Sequence, residues 1–542
     1  MPSSRPPAAT GFALLVAMIA LFAGAKAVVY STIDPDCFWH LRVGEQLFRE
    51  GVHPIVDNLS FASIREPWVP YSWLAEVGMA KLWSAGGFRA AVAAAAIMQA
   101  MFVVFIALGC REVVASRNGR DTHSVDQRFF ASVLAVAFAT LLSLSYMSFR
   151  PVTLALMLLA LIGWLLLRDR RMGELSKAIW LIVPMTVLLT NVHFFVFIVP
   201  MWIGCLMIGA IWERWKSQAS SPSPGTPGKG RDEGSALAAI GNQFISLAQN
   251  PHPNPLPEYR ARGQNMRRYV ILLLLTLLAT TATPLLPGVI KSVVHYSVAD
   301  PMIRGTFIGE MQPFYSGSMG KVSLAMVLIF AACVWMKQEQ IRAGERIWLL
   351  AGSLMLLQMG RLAPVFSIIA APLFAITMPA LSDRLLGRRS IHLAVTAVLL
   401  LGLGRLITDF SSRSSNLATW MERLGPDAPG YPTTAADYVA TSVSPKSGRL
   451  LNEFSWGGYL EWRLGDHYQV LLDGRTQLFT PQFWKTIYLT GEAPRTQYLS
   501  TIDADAAIIP VKDSILRASL IALGWKSVHT DARAEVLVPA RR

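Results

Sequence analysis

Apolar runs long enough to cross a bilayer recur along almost the whole chain, and they constrain everything else about its fold. A helix crossing ~30 Å of hydrocarbon needs about 20 mostly apolar residues. Residues 11–30, 90–108, 129–149, 152–167, 194–211, 269–286, 323–336, 363–378 and 393–407 meet or approach that requirement. Two shorter runs, 178–190 and 347–359, each complete a turn between longer neighbours. About eleven spans are therefore expected. Of the 542 residues, 53% are hydrophobic and only 15% charged, and the mean hydropathy is +0.40. A water-soluble chain of this length carries far more charge.

The net charge of +14 is a topology signal, not a nucleic-acid patch. Its basic residues gather in alternate loops: Arg111, Arg117, Arg120 and Arg128; Arg168, Arg170, Arg171 and Lys177; Lys337, Arg342 and Arg346; Arg384, Arg388 and Arg389. Such loops stay in the cytoplasm. The N-terminus is then cytoplasmic, and no small-residue cleavage site follows the first apolar run, which reads as a retained anchor. Residues 31–88 form a long extracytoplasmic loop. An odd number of spans places the C-terminal part outside as well. The four cysteines (Cys37, Cys110, Cys205, Cys333) show no paired or metal-ligand spacing and read as small apolar residues.

Three regions depart from the membrane pattern. In the first loop, YSWLAEVGMAKLW (71–83) has helical apolar spacing and suits a helix lying along the membrane surface, with Trp68, Trp73 and Trp83 at interfacial positions. Residues 218–264 are dense in Pro, Gly and Ser, a composition that buries no core and reads as a disordered cytoplasmic insert. With suitable codons, its SPSPGTPG and PHPNPLPEYRARG segments are what the two strands of one DNA palindrome encode. This predicts a translated inverted repeat, which the gene's nucleotide sequence tests. Residues 408–542 are mostly polar, with strand-like runs at 468–472, 506–510 and 534–538 and a helical stretch at 514–523. They read as a small extracytoplasmic α/β domain following a transmembrane domain of residues 1–407.

Ionisable groups at membrane depth are costly and mark function. On this topology the notable ones share the outer side: Asp34, Asp36 and His40 in the first loop, Arg150 at the end of the third span, and Asn191 and His193 between the fifth and sixth. Glu310 and Arg361 join them, while the opposite ends carry only basic loops. Each has a plainer reading. Arg150 and Arg361 taken singly suit snorkelling anchors, His193 suits a turn, and Asp36 suits the N-cap of a helix starting near Cys37. Pro35 biases Asp34 toward an extended conformation, in which residues two apart project to one side. Both carboxylates would then enter one pocket, where mutual repulsion favours a base or a shared cation.

The stretch IDPDCFWHLRVGEQLFREGVHPIVDNLSFASIREPWVPYSWLAEV resembles the first outer loop of the GT-C superfamily of membrane glycosyltransferases. That superfamily includes protein mannosyltransferases, aminoarabinose transferases acting on lipid A, and the RgtA/B/C/D-like group. More narrowly it resembles a bacterial set, through Asp34, Asp36, Trp39, His40, Leu41 and Gly44, then Asp57, Ser60 and Phe61, then Pro67, Trp68, Trp73, Leu74 and Glu76. Arg150-Pro151, Asn191–His193, WGGYLEWRL (456–464) and LLDGR (471–475) fit the same set. The resemblance implies an inner-membrane enzyme taking a sugar from a polyprenyl-phosphate donor to a lipid, glycan or protein acceptor on the outer face. It implies Asp34 or Asp36 as general base, and His40, Arg150, Asn191, His193, Glu310 and Arg361 as contacts to substrate or donor phosphate. Some members hold a divalent cation at the acidic pair, so a metal at Asp34 and Asp36 stays open. The competing classes are a non-catalytic scaffold or lipid-binding protein of the same architecture and a transporter. Against the transporter, the charges cluster at one face rather than at the bilayer midplane. Asp473-Gly474-Arg475 reads first as a tight turn after a strand.

Overall fold

The computed structural model describes residues 34–115, 125–219, 256–295, 311–378 and 431–540, together with 16–17, 19–21 and 23 of the first apolar run. The expected span at 393–407, Glu310 and most of 11–30 and 218–264 lie outside the described residues.

A helix occupies each expected span between residues 90 and 378. They are α2 (Trp73–Ala115), α3 (Val125–Ser143), α4 (Pro151–Arg171), α5 (Ile182–Thr190) and α6 (Ile198–Ala219), followed by α7 (Leu256–Ala279), α9 (Gly317–Met336), α10 (Ala343–Gln358) and α11 (Ala363–Thr377). Short α8 (Leu286–Val294) follows α7. Among the described residues, Trp73–Val114, Pro151–Arg171, Phe194–Lys216 and Gly360–Thr377 are long and apolar enough to cross a bilayer. Helix α7 begins at Leu256, inside the stretch that composition reads as disordered. Its EYRAR segment consists of residues that tolerate a helix well.

Every residue of α11 is buried. It packs against α3, α2 and α10, while α4 packs along α2. This central helix carries no ionisable group, as a bundle interior requires. Hydroxyls within the bundle bond back to their own helix, Thr186 to Ile182 O (2.7 Å) and Ser367 to Ala363 O (2.8 Å), which satisfies them without water. Helices α6 and α10 touch through glycine: a Cβ on Gly209 would lie 2.1 Å from Gly344 Cα, the close approach that small residues allow. The end of the bundle away from Arg150 holds more than basic loops. Buried Asp169 pairs with Arg268 at 2.7 Å, and Arg170 with Glu345 at 3.5 Å.

The expected surface helix is the first part of α2. It starts at Trp73 and runs into the span through Gly87, whose φ of 56° and ψ of −143° break the helix in a conformation open to glycine. Before it come α1 (Asp36–Glu50) and a two-stranded ribbon, β1 (Ile55–Val56) and β2 (Pro67–Trp68). Trp68 is buried rather than interfacial.

Residues 431–540 form a five-stranded sheet with helices, among them α12 (Thr433–Ser442) and α13 (Gly457–Leu464). The strands β3 (Gly448–Asn452), β4 (Tyr468–Val470), β5 (Ala506–Pro510), β6 (Lys526–Thr530) and β7 (Ala534–Val538) lie in the order β4-β3-β5-β7-β6. β4, β3 and β5 are parallel, and β7 is antiparallel to β5 and β6. Strands β3 and β6 escape the sequence reading. The helical stretch expected at 514–523 narrows to α16 (Arg517–Ala522), after short α14 (Pro481–Trp484) and α15 (Glu492–Ser500). The first loop covers the β4 edge: Phe61 N donates to Val470 O and Val470 N to Leu59 O, each 2.9 Å. An exposed edge invites pairing, and here the partner strand comes from the first loop. Loop and tail are thereby one body.

Candidate active site

Where α1 starts, Pro35 is already helical (φ −51°, ψ −33°), so the acidic pair is not extended. Asp34 is the capping residue instead of Asp36: its Oδ1 accepts from Asp36 N at 3.0 Å and its carbonyl from Cys37 N at 2.9 Å. A short acidic side chain followed by proline is a favoured way to open a helix. The two carboxylates converge because Arg150 reaches both. Its Nε lies 3.3 Å from Asp34 Oδ2 and its Nη1 3.3 Å from Asp36 Oδ2. Ser148 Oγ accepts from Arg150 Nε at 2.9 Å and donates to Asp34 Oδ2 at 3.3 Å. Arg150 can do this because Pro151 is the first residue of α4, leaving Arg150 itself extended (φ −143°, ψ 160°) at the helix mouth.

Asp36 has two further neighbours that the sequence reading did not connect to it. Trp39 Nε1 donates to Asp36 Oδ1 at 3.2 Å. Gly474, from the tail, lies against the same oxygen, and a Cβ there would come within 1.9 Å of it. The LLDGR stretch is therefore not a peripheral turn. Buried Asn452 shapes it, with Oδ1 accepting from Leu471 N and Nδ2 donating to Leu472 O, both at 2.9 Å.

Asp36, His40, Arg150, His193 and Arg361 line one cavity of about 680 Å³, its open mouth included. Trp39, Tyr71, Ser72, Phe194 and Met311 complete it, with Phe454, Gly474 and Thr476 from the tail. These tail residues follow the carboxyl ends of parallel β3 and β4, where open α/β sheets place their ligand crevices. A second cavity of about 710 Å³ shares Phe194, Met311 and Arg361 with the first, and its other walls include Phe195, Phe197, Ile198, Met355 and Leu362. A polar chamber thus adjoins an apolar one, with Arg361 and Met311 at the junction.

His40 is buried, with Nδ1 2.9 Å from Glu76 Oε1. Burial first, then the charges of Arg150, His193 and Arg475, hold its pKa well below the ordinary value, so the imidazole is neutral at neutral pH. His193 Nδ1 accepts from Phe195 N at 3.2 Å and caps the turn Phe194–Phe197. A neutral His193 consequently carries its proton on Nε2. Asn191 is not among the residues lining the cavity. Its Oδ1 accepts from Trp73 Nε1 at 2.7 Å and its Nδ2 donates to Ala282 O at 2.9 Å. It ties the surface segment of α2 to the bundle. Glu310 lies outside the described residues. Of the site residues expected from sequence, Asp36, His40, Arg150, His193 and Arg361 come together, and Asp34 supports them from behind.

The positive charge between the two carboxylates is that of Arg150. Among the described residues no group of three or more His, Cys, Asp or Glu side chains is placed to hold a metal ion. The pair as it stands does not fit a divalent cation.

No family model matches the sequence, and no curated protein matches it. Solved structures do. AglB, the oligosaccharyltransferase of Archaeoglobus fulgidus, superposes with a TM-score of 0.52 at 12% identity, over 93% of this chain and 70% of that one. The fold is that of AglB. A second structure of the same enzyme, tethered to an acceptor peptide, gives a TM-score of 0.53 at 10% identity, over 93% of this chain and 69% of that one. ArnT from Cupriavidus metallidurans aligns over 98% of both chains at 15% identity, with a TM-score of 0.42. The AglB structure first named holds an inhibitory peptide and a dolichol-phosphate. The likeness is one of fold, and the apolar helices make the chain an integral membrane protein.

Proposed function

We propose that the chain is a membrane glycosyltransferase that moves a sugar from a polyprenyl-phosphate donor to an acceptor hydroxyl on the extracytoplasmic face. The observation that carries this reading is the meeting of the two cavities at Arg361: a charged chamber next to an apolar one matches a lipid–phosphate–sugar. The polyprenyl chain occupies the apolar cavity. The phosphate sits at Arg361, whose planar fork suits phosphate oxygens, and the sugar faces Asp36. The likeness in fold to an enzyme solved with dolichol-phosphate supports the assignment. The basic loops at the other end support the orientation, with the first loop and tail outside.

In this scheme Asp36 removes the proton of the acceptor hydroxyl. The oxygen attacks the anomeric carbon as the bond to the phosphate oxygen breaks, with inversion, and the lipid phosphate leaves with the electron pair. General-base help of this kind contributes roughly 10²–10⁴-fold. Arg361 neutralises the leaving phosphate, and His193 Nε2–H donates a hydrogen bond to it. Arg150 acts differently from the sequence expectation: bound to both carboxylates, it holds Asp36 in place. The test is incubation of membranes holding the full chain with a panel of undecaprenyl-phosphate-linked sugars. Native protein should consume one of them and Asp36→Asn none. No consumption by well-folded native protein across the panel would sink the reading.

A further inference from the structure

A buried ion cluster lies one residue beyond the cavity wall, and the scheme above does not use it. Arg475 is almost wholly inaccessible. It lies 3.1 Å from Asp57, 2.8 Å from Glu461 and 2.6 Å from Asp473. Ser60 Oγ bridges Glu461 at 2.9 Å and Asp473 at 2.8 Å. Asp57 and Ser60 belong to the first loop, and Glu461 and Asp473 to the tail, so the guanidinium rivets one to the other. Three carboxylates surround one cation. Burial first, then the neighbouring Asp473 and Asp57 charges, hold Glu461 well above its ordinary pKa, so it keeps its proton. Burial pushes Asp473 up, but the Arg475 charge together with hydrogen bonds from Glu461 and Arg475 outweighs it and holds that carboxyl at about 2. With Glu461 protonated, two negative charges instead of three face the guanidinium, which lowers the cost of burying the cluster.

Its position points to a task beyond fastening. The Arg475 guanidinium lies over the rings of Trp39 (5.8 Å) and Trp68 (5.6 Å). Trp39 Nε1 donates to Asp36 Oδ1, and Gly474, the neighbour of Arg475, is pressed against that same oxygen. We propose that Arg475 is a positioning residue for Asp36: clamped by Asp57, Glu461 and Asp473, it sets the Trp39 ring and the Gly474 backbone that together fix the Asp36 carboxylate. The C-terminal part then completes the site mechanically, and a chain whose tail is not locked to the first loop holds an unaligned Asp36. The inference rests on the reading of Asp36 as the reacting group.

The experiment treats the detergent-solubilised full chain with a carbodiimide, which attacks protonated carboxyls, across a pH series. Modification of Asp36 is read by peptide mass spectrometry, with melting temperature and turnover of the undecaprenyl-phosphate sugar panel measured on the same samples. Trp39→Phe keeps a ring beneath Arg475 but removes the N–H donor, so Asp36 labelling should begin at higher pH. Gly474→Ala and Arg475→Lys should speed Asp36 labelling and cut turnover by about 10²-fold, the scale expected of a misplacement near 1 Å, a loss larger than their fall in melting temperature accounts for. Gly474→Ala leaves the cluster intact and decides the matter alone if Arg475→Lys does not fold. Unaltered labelling in Gly474→Ala, or a turnover loss that merely tracks the melting temperature, overturns the proposal. If labelling shifts as expected while native protein turns over no donor, the positioning stands and the transferase reading fails.

Discussion

Replacing Arg150 with glutamine leaves Asp34 and Asp36 facing the gap that the guanidinium fills. Each contact is 3.3 Å, for which Coulomb's law at an effective dielectric constant near 20 gives about 5 kcal/mol before desolvation is subtracted. Removing one partner of a buried pair costs about 3–5 kcal/mol. The side chains of Asp34 and Asp36 keep 22% and 30% of their exposure, and water reaching them lowers the expected loss to about 3 kcal/mol or less. Denaturant unfolding of the full chain in detergent measures it at about pH 8 and again at about pH 4, where carboxylates begin to take up protons. The loss comes from uncompensated negative charge, so acid should relieve much of it. Two results would refute the reasoning: an Arg150→Gln protein as stable as native at the higher pH, or a loss of equal size at both. The second would mean that Arg150 acts through packing.

Three further outcomes are expected. Asn191→Ala removes the acceptor of Trp73 Nε1 and the donor to Ala282 O. It should cost about 1–3 kcal/mol and raise amide hydrogen exchange in the surface segment before Gly87. Gly209→Leu should force α6 from α10 and lower stability by about 1–3 kcal/mol, read as a fall in melting temperature, because the Gly344 backbone has no room to yield. Glu461→Gln tests the buried proton. A carboxyl raised above its unfolded value of 4.5 contributes stability below that pH and loses it as the pH rises, so the native melting temperature should fall with pH more steeply than that of the variant. Parallel curves would show that Glu461 is not protonated in the fold.

Long apolar runs carry their structure in their own composition, which is why a helix stands at each expected span between residues 90 and 378. Tail strands with short apolar runs were legible too, at Ala506–Pro510 and Ala534–Val538. Lys526–Thr530 was not, because it is an exposed edge strand without an apolar face. At the site, five residues picked from sequence because charge at membrane depth is costly line one cavity. The partners of each were not legible, because they depend on distant parts of the chain. Asp34 caps the helix while Asp36 faces the cavity, and Arg150, some 114 positions from Asp36, binds both. Asn191 bonds through its side chain to Trp73 and Ala282, partners far from it in sequence. Glu76 and Arg475 sat inside quoted motifs, and their proximity to His40 and Trp39 is a product of tertiary packing.

The two neighbouring aspartates offer the most direct test of the account. Asparagine can still cap a helix, so Asp34→Asn should fold and keep substantial turnover of an undecaprenyl-phosphate sugar. Asp36→Asn should fold equally well and lose roughly 10²–10⁴-fold. The reverse ranking, or full turnover in both variants and in the double variant, would contradict the assignment of Asp36 as the base.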